Sequence, residues 1–228
     1  MTAIFVTGIG TDIGKTFLTA ALVRHWRAAG RAVHAIKPVM SGYDPGNAAA
    51  SDAGVLLDCL GRGCTVEEIK RISPWCFAAP MSPDLAAARE GRVIDFKALV
   101  KFCWQANASE NDLLLVEGVG GVMVPLDEAH TVLDWISALR FPVLLVAASY
   151  LGAISHTLTA LHVLARRNLD IAAVVVSESE TVGATLDETV ATIARFAEPV
   201  EVIGLPRQRP GTHPHSAVRR IAQLIELA

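Results

Sequence analysis

Apolar residues in this chain fall in short unbroken runs, not in alternation with polar ones. Six runs have strand length and are rich in β-branched and aliphatic residues: AIFVTG (3–8), AVHAIKPV (32–39), DLLLVEG (112–118), PVLLVAA (142–148), IAAVVVS (171–177) and EVIGLP (201–206). Between most of them lie stretches of helical character, at 15–29, 52–60, 95–107, 132–138, 153–168 and 184–196, with a last one at 216–228. A strand that is apolar at every position is buried on both faces, so the pattern predicts a parallel sheet covered by helices. Pro and Gly fall at the expected turns, as in 38–46, 74–83 and 204–214, and no repeat, low-complexity tract or linker breaks the order. The expectation is a single α/β domain over 1–228, a doubly wound and mostly parallel sheet flanked by helices.

Composition narrows the function classes. The 228 residues are 52% hydrophobic and 19% charged, which supplies a thick core and argues against disorder. Net charge is −3, and basic residues do not cluster beyond Arg166-Arg167 and Arg219-Arg220, so a nucleic-acid partner is not expected. Cys59, Cys64, Cys76 and Cys103 form no Cys-x-x-Cys pair, a spacing that fits free thiols in a reducing cytoplasm better than disulfides or zinc ligands. The opening MTAIFVTG lacks a basic n-region and reads as a first strand. Residues 141–165 hold no Asp, Glu, Lys or Arg and could on paper span a bilayer. The run PVLLVAA, broken at 149–152 and followed by a helical stretch with His156 and His162, reads instead as a buried strand and a helix, with no membrane partner.

The chemistry begins where the first strand ends. The stretch Gly8-Ile-Gly-Thr-Asp-Ile-Gly-Lys-Thr16 closes like a phosphate-binding loop, yet the usual spacing puts Ile9 where the first glycine belongs. Gly8 is one place too early and Gly10 one too late. Its setting restores the assignment, because the N–H groups and dipole of a helix that follows a strand hold phosphate. Lys15 can reach the β- and γ-phosphates, and the Thr16 hydroxyl is placed to ligate Mg²⁺. Gly-Lys-Thr alone would fit an ordinary turn with a surface lysine; at the end of the first strand of a parallel sheet that reading loses ground.

Two further stretches, Lys37-Pro-Val-Met-Ser41-Gly42 and Val116-Glu117-Gly-Val-Gly-Gly121, join the loop in resembling the dethiobiotin synthetase family. That family's loop reads Gly-Thr-Asp-Thr-x-Val-Gly-Lys-Thr, with the same five residues between its first two glycines. Its second strand ends Lys-Pro-Val-x-Ser-Gly and a later signature is Val-Glu-Gly-Ala-Gly-Gly. Further echoes, in the same order along nearly the whole chain, are Ser51-Asp52, Ala79-Pro-Met-Ser-Pro83, Asp134-Trp135 and Leu151-Gly152-Ala-Ile154. The resemblance implies a P-loop NTPase-like fold and a cytoplasmic cyclo-ligase of biotin biosynthesis. In that reaction 7,8-diaminononanoate takes up CO₂, supplied from bicarbonate, as a carbamate. ATP phosphorylates the carbamate to a carbamic-phosphoric anhydride, and the second amine closes the ring to dethiobiotin. The resemblance also implies Mg²⁺ and a homodimer with the substrate site near its interface.

Each motif has its own physical reading. Lys37 ends a predicted strand, where open parallel sheets place ligands, and its cation could hold a carboxyl near the γ-phosphate. Glu117 ends a strongly apolar strand and is followed by glycines that let backbone approach a ligand. Thr16, Asp52 and Glu117 together would give the hard oxygen shell that Mg²⁺ prefers. The resemblance implies catalytic roles for Lys37, Lys15 and Thr11. It implies nucleotide contacts from Asp12, Ile13, Gly14, Lys15, Thr16 and Phe17, from Asp52, Glu117, Gly118, Val119 and Gly120, and from Ser177, Glu178 and Pro206. For the substrate it implies Ser41 on the carbamate, Gly118 and Gly121. A helix opening at Gly152, Ala153, Ile154 and Ser155 would hold the distant carboxylate, and in the family that helix comes from the other subunit.

The departures are specific. Gly10 and Asp12 stand where the family has Asp and often Glu, and Asp84 stands where His is frequent. Ser177-Glu178 replaces an Asn whose amide reads adenine, which puts purine selectivity in doubt because a hydroxyl is shorter and makes fewer fixed contacts. The segment 206–215 matches poorly. Two related classes share the deviant loop. An amide synthetase would carry a glutamine-amidotransferase domain for which the chain has no room, and a partitioning ATPase would carry another lysine where Gly8-Ile-Gly10 stands.

Overall fold

The computed structural model describes residues 2–106, 112–180, 184–207 and 216–227. Six strands form one sheet: β1 (Thr2–Gly8), β2 (Val33–Ile36), β5 (Leu113–Glu117), β6 (Val143–Ala148), β7 (Ile171–Ser177) and β8 (Val202–Leu205). Their order is β2-β5-β1-β6-β7-β8, and every pairing is parallel. All residues of β5 and β6 are buried, as the unbroken apolar runs require of strands covered on both faces. The order reverses beside β1, which opens a crevice at the carboxyl ends of the strands. Register then sets the site, since Ile36 pairs with Val116 and Val6 with Glu117, so Lys37 and Glu117 leave β2 and β5 side by side at that edge while β1 runs on to Gly8.

The predicted strand at 32–39 is cut in two. Pro38 has no N–H for a ladder, and the Lys37 N–H turns away to donate to Ile72 O at 3.0 Å. The chain resumes as β3 (Val39–Ser41), outside the main sheet, and pairs in parallel with β4 (Trp75–Phe77) in a separate ribbon. The pattern missed β4, read inside the turn at 74–83, because prolines there masked three extended residues. It also missed two short helices, α3 (Val66–Ile72) and α4 (Pro83–Arg89), each too brief for a clear period.

A short 3-10 helix over Pro45–Ala50 was not foreseen. The other α-helices lie where they were expected. They are α1 (Lys15–Ala28), α2 (Asp52–Cys59), α5 (Phe96–Ala106), α6 (Val132–Leu139), α7 (Ala153–Arg166), α8 (Leu186–Ala197) and α9 (Ser216–Leu227). Asn107 and Ala228, at the ends of two predicted helices, lie outside the described residues. The uncharged stretch at 141–165 becomes β6 and most of α7, and no described helix is long and apolar enough to cross a membrane.

Candidate active site

The loop after β1 wraps over Gly8, not over position 9. A Cβ at Gly8 would lie 2.4 Å from Ile13 Cδ1 and 3.2 Å from both Lys15 Cδ and Val146 O, whereas one at Gly10 would meet nothing within 4 Å. Ile9 instead forms an antiparallel bridge with Gly121, whose own Cβ would crowd the Ile9 backbone at 3.2 Å. Asp12 (φ 56°) and Gly14 (φ 92°) take left-handed conformations that turn the chain into α1. That helix has no side-chain cap and no acid in its first turn, so its leading N–H groups are free for a phosphate.

Behind the loop lies a compact charge cluster. Lys37 Nζ donates to Glu117 Oε1 at 2.7 Å and to Gly118 O at 2.8 Å, and it lies 3.0 Å from Asp52 Oδ2. Thr16 Oγ1 donates to the same Glu117 oxygen at 2.6 Å. Glu117 is wholly buried, and its other oxygen, Oε2, has no hydrogen-bond partner. Burial opposes the charge on Lys37, but Glu117 and Asp52 outweigh it and hold the amine above the usual lysine range. Burial likewise pushes Asp52 up, yet Lys37 and Thr16 bring it below the usual carboxylate range. Lys15 folds back to donate to Gly10 O at 2.6 Å, and burial, reinforced by Lys37, lowers its pKa to about 8.

Thr16, Asp52 and Glu117 therefore converge, as the sequence led one to expect. Their oxygens suit Mg²⁺, and the orphaned Glu117 Oε2 is an acceptor in want of a cation. Among the described residues no three His, Cys, Asp or Glu side chains gather around one point. An ion here would complete its shell with phosphate oxygens.

Two cavities meet along the loop. The first, of about 610 Å³, is lined by residues 11–17, Lys37, Ser41, Asp52, Val119 and Gly120, with Met40, Tyr43, Met81 and Val124 as an apolar wall. The second, of about 670 Å³, shares Thr11, Asp12, Ile13, Gly14 and Phe17 and adds Tyr150, Ser177, Glu178, Ser179, Glu180, Pro206 and Arg207. In it Ser177 Oγ packs on the loop, 2.8 Å from where a Cβ on Gly14 would sit. Glu178 Oε2 accepts the Arg207 N–H at 2.8 Å, and the Arg207 guanidinium pairs with Glu180. Of the predicted 206–215 contacts, residues 208–215 lie outside the described residues.

Some expected contacts are not brought together. Gly118 and Gly121 line neither cavity: Gly118 offers its carbonyl to Lys37, and Gly121 braces Ile9. Gly152, Ile154 and Ser155 line a separate open depression with Leu158, Thr159 and His162. Gly152 (φ 99°) caps α7 without a side chain; the Ala153 N–H donates to Tyr150 O at 3.0 Å, and the Ile154 and Ser155 N–H groups are left without a partner. Sequence reading missed Ser73, whose buried hydroxyl donates to Lys37 O while Ile72 O takes the Lys37 N–H. An isolated Ser-Pro pair carries no signal for that role. The apolar wall was also missed, although Met81 lies in the quoted Ala-Pro-Met-Ser-Pro stretch.

Known proteins bear on this geometry. An AAA-domain family model matches residues 2–214. The ATP-dependent dethiobiotin synthetase BioD of Methylobacterium nodulans is 52% identical over 205 residues, covering 86% of this chain and 90% of the relative. The protein of the same name from Acidiphilium cryptum is 50% identical over 190 residues, covering 83% and 85%. Among solved structures, the MinC:MinD cell division protein complex of Aquifex aeolicus aligns with a TM-score of 0.58 at 15% identity, over 100% of this chain and 95% of that one, a likeness of fold alone.

Proposed function

Because the chain belongs to the family of ATP-dependent dethiobiotin synthetases, we propose how its own residues carry out that ATP-dependent ligase reaction of biotin biosynthesis. The substrates are ATP, CO₂ and 7,8-diaminononanoate. The N–H groups of residues 11–17 hold the phosphates, and Lys15 leaves Gly10 O for the β- and γ-phosphates. Thr16, Asp52 and Glu117 would hold Mg²⁺, which when bound offsets phosphate charge. The base enters the second cavity, beside Ser177, Glu178 and Pro206.

The aliphatic chain of the diamine lies over Met40, Tyr43, Met81 and Val124, with its carbamate between Ser41 and Lys37. A carbamate oxygen attacks the γ-phosphorus, and the bond to ADP breaks. Lys37 balances the charge that builds on the transferring group. The second amine then attacks the carbonyl carbon and loses a proton as the C–O bond to phosphate breaks. Positioning accounts for most of the protein's work, because neither step needs a covalent enzyme intermediate. The substrate's distant carboxylate meets the free N–H groups at the start of α7 of a second subunit.

The observation that carries this reading is a buried lysine amine sharing one cleft with a phosphate loop. The test is a coupled assay of ADP release. Release must require both the diamine and bicarbonate; release that ignores either one refutes the assignment.

A further inference from the structure

Lys37 donates hydrogen bonds to Glu117 at 2.7 Å and to Gly118 O at 2.8 Å, and its amine is ion-paired with Asp52 at 3.0 Å. With three acceptors already around it, the amine is engaged before any carbamate arrives. Its two acidic partners are two of the three oxygen donors proposed for the metal, and the third, Thr16, donates to the oxygen of Glu117 that Lys37 already holds. A wholly buried carboxylate such as Glu117 is costly without a cation beside it. A cation beside these carboxylates lowers that cost, and a divalent ion that took the same oxygens would compete with the ammonium for them.

We infer that Lys37 is also the positioning residue of the metal site: it holds Asp52 and Glu117 in place as a stand-in cation until the ion arriving with the nucleotide displaces it toward the substrate. This rests on the metal assignment made above. Three features then follow from one exchange. The carboxylates are preorganised without metal, at the geometry set by one amine. The unpartnered Glu117 Oε2 leaves that carboxylate with an acceptor in reserve while Lys37 and Thr16 hold Oε1. Release of Lys37 restores a free N–H on the wall of the cleft that also holds Ser41.

The experiment is a Mn²⁺ titration of the free protein, without nucleotide or diamine, followed by electron paramagnetic resonance. Lys37→Gln removes the competing cation, and Mn²⁺ is expected to bind about tenfold or more tightly than to the wild type. Unchanged or weaker binding overturns the inference. Glu117→Gln separates the two layers. If it leaves Mn²⁺ uptake in the presence of ATP intact, the metal assignment itself falls, and the inference with it. If it weakens uptake while Lys37→Gln fails to tighten Mn²⁺ binding, only the exchange is wrong. Should Lys37→Gln fold poorly, the wild-type chain with ¹³Cε-labelled lysine gives a second measurement. Mg²⁺ with a non-hydrolysable ATP analogue must shift the Lys37 signal. An unmoved signal, or the same shift with the analogue in EDTA, overturns the exchange.

Discussion

At the scale of residues, the glycines at 8 and 10 meet opposite surroundings. Gly8 is hemmed in by Ile13, Lys15 and the Val146 carbonyl, whereas Gly10 has open space around it. Gly8→Ala overpacks the root of the loop and is expected to weaken ATP binding by about 1–3 kcal/mol. Gly10→Ala should stay within about 0.5 kcal/mol of wild type. Isothermal titration with ATP checks both, and equal losses would mean that the loop does not pivot on Gly8. The two lysines divide the labour in a similar way. Lys37→Gln should not weaken nucleotide binding and should cut kcat by about 10²–10³, the range for removing a group that stabilises transition-state charge. Lys15→Gln should lower nucleotide affinity and turnover together. Wild-type kcat in Lys37→Gln at saturating diamine would remove that residue from the mechanism.

At the scale of elements, the helix ends carry distinct duties. The starts of α1 and α7 are capped by left-handed glycines with no acid in the first turn, which keeps the leading N–H groups of α1 and those of Ile154 and Ser155 in α7 free. The start of α6 is closed: Thr131 and Asp134 form a capping box, and Asp134 also reaches Arg167 at 3.2 Å. The Asp134-Trp135 echo is thus structural, with the acid capping and the indole wholly buried. Asp134→Ala should cost about 1 kcal/mol in a denaturant melt. Burial pushes the Asp134 carboxyl up, but the Thr131 N–H and hydroxyl and Arg167 bring it below its usual value. A lowered folded pKa means the contribution is present in full above the unfolded pKa near 4 and is lost as pH falls through the folded value. The wild type and Asp134→Ala should therefore converge in stability on acidification, and a constant gap down to pH 2 would exclude the carboxylate as its source. The end of β7 bears on the base. Ser177 packs its hydroxyl against Gly14 and brings no amide to the second cavity. A missing bidentate base contact forfeits about 1–3 kcal/mol, or roughly 5- to 150-fold in selectivity. ATP, GTP and CTP should therefore give similar kcat/KM values at fixed diamine and bicarbonate. A strong preference for ATP would assign the discrimination to Glu178 or to the chain beyond Pro206.

At the scale of the whole molecule, the cleft is incomplete at one end. Lys37 and Ser41 line the cleft, but the α7 start lines a separate depression. A second copy of the chain would supply that helix, so the 24.2 kDa protein should sediment as a dimer. Complementation offers a sharper measure. Lys37→Gln and a variant blocked at the α7 start, Gly152→Pro, should each be nearly inactive. Mixing and re-equilibrating them should restore activity through hybrid dimers that hold one intact site. A strictly monomeric active enzyme, or no recovery on mixing, would place the carboxylate contact elsewhere.

The sequence alone determined the strands of the sheet, their parallel sense and the helix after the first strand, and it marked residues 8–16 as the candidate phosphate loop. All of these are written locally: unbroken apolar runs mark strands covered on both faces, and a Gly-Lys-Thr between strand and helix marks a place for phosphate. Through resemblance it also pointed to Lys37, Asp52 and Glu117, but not to how they meet. Lys37 and Glu117 are 80 positions apart, and they touch because β2 and β5 are neighbours whose ends are level. A hydrophobic pattern says which face of an element is buried and carries no information on which element lies beside it. For the same reason the small ribbon of β3 and β4, the Ser73 clamp on Lys37 and the displacement of residues 152–155 from the cleft were illegible. Each depends on short segments whose partners are distant in the chain, and only the packed sheet decides where those partners are.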